Sequence, residues 1–263
     1  MNTHGGELGL LEARGLRKVY VQRKGIKKIA FEDVDIGLFR GSTVALVGKS
    51  GSGKSTLARC LALLEEPDAG DILIGGLAVT KLSDRERRRV CPKIQLIWQH
   101  SALALNPRFR VIDLIAEPLR VQGKGLKSVR REQALAIMSK LGLPAFVADH
   151  TALQLSGGQR QRVAIGRALV QQPEVIIFDE ALAGLDIPLQ MQIANVLMEL
   201  KTSLSLSYLF ISHDLRMAAF LADRIAVMNG GKIVESQPTA TLLSRPQTNP
   251  ARDLLNSIPV PPI

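Results

Sequence analysis

Short runs of apolar residues between glycine-rich or polar turns dominate the pattern along this chain of 263 residues. Several runs are rich in β-branched or aromatic side chains and have the length of buried strands; they are Thr43–Val47, Val175–Phe178 and Ser207–Ile211. Stretches with helical spacing follow or separate them, at 55–64, Val111–Val121, Val129–Leu141 and from Gly158 onward. This alternation of strands and helices predicts an α/β fold.

The turn between the first of these strands and its helix reads Gly48-Lys49-Ser50-Gly51-Ser52-Gly53-Lys54-Ser55 and matches the pattern G-x-x-x-x-G-K-[ST]. Glycines there let backbone N–H groups turn toward phosphate oxygens at the positive end of the helix dipole. We expect Lys54 to reach the β- and γ-phosphates of ATP and the Ser55 hydroxyl to bind Mg²⁺. The predicted phosphate-binding residues are Gly48, Ser50, Gly51, Ser52, Gly53, Lys54, Ser55 and Thr56.

Two carboxylates, Asp179 and Glu180, directly follow the apolar run Val175–Phe178. Ligands bind at the carboxyl ends of strands in open α/β sheets. We therefore expect Asp179 to hold Mg²⁺ through its water shell and Glu180 to polarise an attacking water as general base. Apolar runs followed by Asp-Glu also begin many helices and turns, so the phosphate loop upstream is what makes this interpretation specific.

The pentapeptide Leu155-Ser156-Gly157-Gly158-Gln159 resembles the signature of ATP-binding cassette (ABC) ATPases. The other motifs agree with this family in order and spacing, from about Leu11 to Glu235. The resemblance implies that the signature opens a helix, and that Ser156, Gly157, Gly158 and Gln159 meet the γ-phosphate of ATP bound to a second copy of the domain. A serine N-cap with a glycine turn would give the same local structure, but it does not account for two glycines and a glutamine together.

The same resemblance implies roles for four further residues. Gln99 matches the glutamine that senses Mg²⁺ and water while its loop contacts the transport partner, and His213 matches the switch histidine that holds the γ-phosphate and attacking water. Asp186 matches the aspartate that couples the two sites of the dimer, and Tyr20 matches the aromatic residue that stacks on adenine. A tyrosine in an N-terminal strand is, by itself, more often core or surface filler. The implied sets are Glu180, His213 and Gln99 for catalysis, and Ser55, Gln99 and Asp179 for Mg²⁺.

Two segments depart from the family pattern. Between Glu180 and Asp186 the chain reads Ala181-Leu182-Ala183-Gly184-Leu185, where Pro-Thr-Ser-Ala-Leu or a close relative is usual. This departure affects the expected geometry of the loop and not the carboxylates. After Gln99, His100-Ser101 replaces an acidic residue and a proline on the loop that contacts the partner.

The loop from His100 to Arg110 has neither strand nor helix periodicity and mixes Leu103, Leu105 and Phe109 with polar and basic neighbours. We expect these three side chains to line one wall of a groove that takes a short helix from a membrane subunit; the alternative is that they fill the core.

The resemblance implies a single ABC nucleotide-binding domain over residues 1–263, with a P-loop NTPase core and an N-terminal antiparallel β section. We expect the core at about 11–98 and 158–235, an inserted helical subdomain at about 100–157, and a C-terminal tail at about 236–263. We see no internal repeat, so one cassette is expected and not two in tandem.

Composition limits the remaining possibilities. The formal net charge is +10, and the one dense basic run lies at Arg85–Arg89. Such a run is usually a solvated face; attraction to an anionic membrane surface is another explanation, and nucleic-acid binding would need groove-reading or aromatic features that we do not find. No apolar stretch approaches the roughly 18–20 residues that a membrane helix needs, and the first seven residues lack the blocks of a signal peptide. Cys60 and Cys91, the two cysteines, fit a reduced cytosolic setting without a metal-type spacing.

Three segments resemble the ABC subgroup that serves oligopeptide, dipeptide and nickel importers; they are Leu105–Arg108, Ile115–Leu119 and the tail Asn249–Pro259. The tail has Ala251-Arg252 where the subgroup often has Tyr-Thr. The resemblance implies an ATPase that dimerises on ATP at the cytoplasmic face of the membrane. Its expected partners are a second ABC subunit, identical or different, membrane permease subunits and, indirectly, a solute-binding protein. The alternatives are a subunit of a soluble assembly of the phosphonate-breakdown type and a soluble DNA-repair or translation ATPase; one cassette without inserted zinc modules argues against the latter.

Overall fold

The structure, a computed structural model, describes residues 9–21, 26–80 and 82–256. These residues form two compact units, one within residues 1–91 and 207–263 and the other within residues 92–206. The first seven residues and the last three residues of the tail segment Asn249–Pro259 lie outside the described residues. The division into a core, a helical subdomain and a tail stays a prediction.

The first unit contains an antiparallel sheet in the order β2-β1-β4-β5. Register shifts interrupt the pairing of the two longest strands, so this sheet is irregular along its length. Its strands are β1 (Leu11–Val21), β2 (Lys27–Leu38), β4 (Ala69–Ile74) and β5 (Leu77–Ala78). It is the antiparallel section that the resemblance predicts.

The first unit also contains a mostly parallel set of strands. β3 (Thr43–Val47) pairs in parallel with both β8 (Ser207–Ser212) and β9 (Arg224–Asn229), and β10 (Lys232–Pro238) pairs antiparallel with β9. Every residue of β3 and β8 is buried, which explains why both read as continuous runs rather than as alternating patterns. The helices of this unit are α1 (Lys54–Leu61), α2 (Asp84–Val90), α7 (Leu215–Leu221), α8 (Thr239–Ser244) and α9 (Asn249–Asn256).

The second unit contains one parallel strand pair, β6 (Ile94–Ile97) and β7 (Val175–Asp179), and most of its chain is helical. Its helices pack through fully buried side chains such as Ile115, Met138 and Ile165. They are α3 (Val111–Val121), α4 (Lys127–Lys140), α5 (Gly157–Leu169) and α6 (Ile187–Leu204). The helices predicted at Val111–Val121 and Val129–Leu141 are confirmed, the second with its start two residues earlier.

The segment beyond Pro238 contains two short helices, α8 and α9. Ala251 of α9 is fully buried, and Leu254 and Leu255 pack against the same apolar cluster as Val47 of β3. The predicted α/β class is confirmed, whereas the order in this C-terminal segment was not predicted.

Candidate active site

The predicted phosphate loop connects β3 to α1 and closes around Lys54. Lys54 is 4% exposed, and its ammonium donates hydrogen bonds to the carbonyl oxygens of Gly48 at 2.7 Å and Lys49 at 3.0 Å. The loop is tightened further by the Ser52 N–H, which donates to the Lys49 carbonyl at 3.2 Å. The loop therefore curls around its own lysine side chain.

The backbone at the start of α1 requires glycine. Gly53 has φ 105°, and a Cβ there would collide with the Ala30 carbonyl oxygen of β2. The helix that begins at Lys54 has neither a side-chain cap nor an acidic residue in its first turn. Its N-terminal dipole is therefore not offset by a carboxylate, as an anion site at a helix start requires.

His213 lies beside this loop because of strand register. Val47 pairs with Ser212 in the parallel ladder, so Gly48 and His213 follow side by side at the carboxyl ends of β3 and β8. His213 is exposed, and the next residue, Asp214, caps α7 by accepting from the Arg216 N–H at 2.8 Å. Burial tends to raise the pKa of Asp214, but hydrogen bonds from Arg216 outweigh it and hold this pKa below its usual value.

Tyr20 lies on β1 with its phenol tied to α1. The Tyr20 hydroxyl accepts a hydrogen bond from Arg59 at 3.0 Å, and the Lys18 ammonium lies 5.7 Å from the centre of the ring. Burial tends to raise the pKa of Glu65, but hydrogen bonds with Tyr20 and Arg59 lower it below its usual value. These contacts anchor the tyrosine structurally, and its predicted stacking on adenine stays a prediction.

In the second unit, strand register brings Gln99 beside the two carboxylates. Ile97 pairs with Phe178, so Trp98 and Gln99 follow β6 at the level where Asp179 and Glu180 follow Phe178. Asp179 is 5% exposed at the last position of β7. Glu180 has φ 50°, a left-handed conformation that is sparsely populated outside glycine. The strand therefore ends abruptly at Glu180, where the chain turns.

Side-chain amides hold the loop that follows Glu180. The Gln161 amide, on α5, donates to the Ala181 carbonyl at 3.0 Å, and the Gln190 amide, on α6, donates to the carbonyls of Leu182 and Leu185 at 3.1 Å each. The loop ends at exposed Asp186, which caps α6 by accepting from the Leu189 N–H at 2.9 Å. The role of Gln161 was not predicted, because a glutamine within a helix has no sequence signal that separates a buried tether from a surface residue.

The signature forms the first turn of α5. Ser156 is its N-cap: its side chain accepts from the Gln159 N–H at 3.2 Å, while the Gln159 side chain accepts from the Ser156 N–H at 2.9 Å. Gly158 is buried, and a Cβ there would contact Leu189 of α6, so local packing explains this glycine. Gly157 is exposed, and a Cβ there would meet nothing within 4 Å among the described residues.

The structure thus brings the predicted residues together in two groups. Within the first unit, the phosphate loop and His213 follow paired strands. The Tyr20 hydroxyl is hydrogen-bonded to Arg59 of α1, the helix that follows the loop. Within the second unit, Gln99 and the two carboxylates follow the carboxyl ends of a paired set of strands, and the signature packs against the start of α6, which Asp186 caps.

Comparisons with known proteins show the family to which the chain belongs. The sequence pattern described as ABC transporter matches residues 31–183. A relative from Brucella ovis, provisionally named a peptide import ATP-binding protein, is 41% identical over 97% of this chain and 80% of its own. The dipeptide transport ATP-binding protein DppF of Haemophilus influenzae is 38% identical over 95% of this chain and 78% of its own. This chain belongs to the ABC transporter family.

Solved structures of ABC cassettes share the fold. The dimeric bacterial ABC transporter cassette MJ0796 is 28% identical, with a TM-score of 0.78 over 87% of this chain and 98% of that cassette. A post-hydrolysis state of the same cassette, bound to ADP and Pi, gives a TM-score of 0.77. The predicted ABC nucleotide-binding fold is confirmed. As a member of this family, the chain is a nucleotide-binding ATPase.

Proposed function

We propose that this ABC ATPase closes on ATP as a dimer and that hydrolysis drives the import of peptides through membrane permease subunits. The main observation in favour of a dimer is the exposed N-terminus of α5. Ser156 and Gly157 are exposed, the first turn has no acidic residue, and space lies where a Gly157 Cβ would be. This surface suits a phosphate group presented by a second subunit, identical or different.

Each of the predicted site residues has its own role in ATP binding and hydrolysis. Lys54 and the N–H groups of the phosphate loop hold the β- and γ-phosphates, and Tyr20 stacks on the adenine. Glu180 accepts the proton of the attacking water as general base. Gln99 and His213 orient that water and the γ-phosphate, and Asp186 links the two sites of the dimer. Hydrolysis would then depend on closure, because the signature is supplied by the partner.

The donor set also fits Mg²⁺. The Ser55 hydroxyl, the Gln99 amide and the Asp179 carboxylate offer oxygen ligands, which this ion prefers. Asp179 is buried at the last position of β7. When bound, Mg²⁺ would neutralise phosphate charge during transfer.

Peptide import follows from the relatives, whose names refer to peptide and dipeptide transport. These relatives favour an importer over a soluble enzyme assembly or a repair ATPase, and they agree with the segments of the peptide and nickel subgroup. The particular solute is a property of the partners. None of the helices in the part of the chain that the structure describes has the length and apolar character needed to cross a bilayer. As the proposed ATP-binding partner of permease subunits, the chain is placed at the cytoplasmic face of the membrane, like the transport ATP-binding proteins that it resembles.

A groove on the second unit is the proposed docking site for a short permease helix. It has a volume of about 460 Å³ and is lined by α3, α4 and the end of the loop after Gln99. Of the loop residues expected to line it, Phe109 does so, whereas Leu105 is 4% exposed and belongs to the core. Leu103 is 75% exposed. The expectation that Leu105 contacts the partner was therefore wrong, since its side chain is buried.

Cross-linking tests the docking site. In a Cys91→Ser background, which leaves buried Cys60 as the native cysteine, Leu103→Cys and Phe109→Cys should cross-link to cytoplasmic loops of a co-expressed permease. Arg89→Cys, on exposed α2, is the control and should not. Links from Arg89→Cys alone would place the partner elsewhere. A chain that co-purifies with soluble enzymes and gives no links would contradict the importer role.

A substitution at Ser156 tests the proposed dimer. Ser156→Arg should leave ATP binding to the isolated chain within about twofold, because Lys54 and Ser55 are untouched, whereas hydrolysis should fall by about 100-fold or more. Ser156→Thr keeps the capping hydroxyl and serves as the matched control. Loss of ATP affinity in the isolated chain, with dimerisation intact, would show that the signature does not act on a neighbour's nucleotide.

A further inference from the structure

A buried amide joins the signature helix to the segment that carries the proposed general base. Gln161 is 3% exposed, and its Nε2 donates to the Ala181 carbonyl at 3.0 Å. Ala181 is itself buried and directly follows Glu180. A hydrogen bond inside a dry environment is costly to break, since an unpaired amide or carbonyl there loses its hydration without compensation.

The backbone conformation of Glu180 makes the Gln161–Ala181 hydrogen bond important for the position of this residue. With φ 50°, Glu180 has a conformation that persists only where surrounding contacts impose it. A local turn, in which the Ala183 N–H donates to the Glu180 carbonyl at 3.0 Å, supplies one contact. The Gln161 bond holds the next peptide unit, so both contacts restrain the backbone from which the Glu180 side chain leaves the strand.

A second amide holds the same loop from a different helix. Gln190 of α6 binds the carbonyls of Leu182 and Leu185, further from Glu180, and is half-buried. Gln161 lies five residues after Ser156 on α5, so only the first tether connects the base to the helix that begins at the signature.

We infer that Gln161 is a positioning residue for Glu180, which transmits the placement of the signature helix to the general base through the Ala181 carbonyl. The inference rests on the proposed function, in which Glu180 activates water and Ser156 engages a neighbour's ATP. Because each signature serves the opposite site, the bond would make the base in one site depend on closure over the ATP in the other.

The test compares three variants of the full chain. Gln161→Met keeps the volume but removes the donor, Gln161→Glu keeps the shape but replaces the donor with an acceptor, and Gln190→Met is the matched control on α6. For the Gln161 variants we expect kcat to fall about tenfold or more, most for Gln161→Glu, while the ATP dissociation constant changes less than about threefold. Gln190→Met should keep kcat within about threefold of the original.

A double-mutant cycle separates positioning from a general structural role. If Gln161 acts through Glu180, adding Gln161→Met to Glu180→Gln should lower the remaining rate by less than about twofold. A further tenfold loss would mean that Gln161 supports the fold and not the base. Equal losses from Gln161→Met and Gln190→Met, or an unchanged kcat in both Gln161 variants, would also overturn the inference. Failure of the proposed function is distinct, because Glu180→Gln alone would then retain the original rate.

Discussion

Two strand pairs present polar groups at their carboxyl ends, and they hold them differently. At the end of β3, the phosphate loop is shaped by its own residues: Lys54 donates to loop carbonyls, and Gly53 fits where a Cβ would strike Ala30. At the end of β7, the loop after Glu180 is held from outside by amides of Gln161 and Gln190. Both loops also have other backbone contacts, but the side-chain donor is the loop's own lysine in the first and glutamines of other helices in the second.

The difference explains why one departure from the family pattern leaves the carboxylates in place. Gln161 and Gln190 bind the main-chain carbonyls of Ala181, Leu182 and Leu185, and a carbonyl is present whatever the side chain. The loop can therefore lack the usual proline and hydroxyl residues and keep its tethers. The phosphate loop has no such freedom, since glycine at position 53 and lysine at position 54 make the contacts themselves.

The largest expected effect is on the rate of ATP hydrolysis, from a substitution at Glu180, where the loop held by Gln161 and Gln190 begins. Glu180→Gln keeps the size of the side chain but removes the base, so the hydrolysis rate should fall by about 100-fold or more. ATP binding should remain and a closed dimer should accumulate, which size-exclusion chromatography with ATP would detect. Hydrolysis close to the original rate would contradict the assignment of Glu180 as base.

The same contrast shows what could be predicted from sequence. The strands β3, β7 and β8 and the helix α1 that follows the phosphate loop motif were predicted correctly, because glycine turns and fully buried parallel strands have local signatures. Gln161 was missed and Leu105 was misplaced, because burial of a single side chain depends on distant elements. Helix α9 was missed for the same reason: it is fixed by the Glu235 carboxylate, which accepts from the Thr248 N–H at 2.8 Å.

The second prediction concerns a substitution that should distort the phosphate loop. Gly53→Ala places a Cβ against the Ala30 carbonyl oxygen at a residue with φ 105°. We expect a loss of about 2 kcal/mol or more in unfolding free energy, together with at least about a tenfold weaker ATP affinity. Urea unfolding and nucleotide titration would measure both. Unchanged ATP affinity would show that the loop does not depend on this close contact.

The third prediction concerns the support behind the phosphate loop. Glu235 is 7% exposed and accepts from the backbone N–H groups of Gln247 and Thr248 and from the Thr248 hydroxyl at 2.7 Å, which fixes α9 against the cluster that includes Val47. Glu235→Gln places an amide donor against these donors and should cost about 2 kcal/mol in unfolding free energy. Exposed Glu132→Gln is the control and should change it by less than about 0.5 kcal/mol.

The pKa of the Glu235 carboxylate leads us to predict that the unfolding free energy depends on pH. Burial tends to raise the pKa of Glu235, but the hydrogen bonds from Gln247 and Thr248 outweigh it and lower this pKa below its usual value. Since the folded-state pKa is the lower one, this stabilisation is complete above the ordinary glutamate pKa and is lost as pH falls through the folded-state value. The unfolding free energy should therefore fall more steeply with acid in the original chain than in Glu235→Gln. Parallel curves would show that Glu235 is not the titrating group.

The smallest expected effect is at Gly184, which forms a matched pair with Gly53. Gly184 also has a left-handed backbone, φ 81°, but a Cβ there would meet nothing within 4 Å. Gly184→Ala, which introduces the residue usual in the family, adds strain without a collision, and the reduced entropy of the unfolded chain offsets part of that strain. We expect a change of about 1 kcal/mol or less in unfolding free energy and a hydrolysis rate within about threefold of the original, since both glutamine tethers bind other residues. A tenfold loss of rate with unchanged stability would mean that the loop after Glu180 depends on its own sequence as strictly as the phosphate loop does.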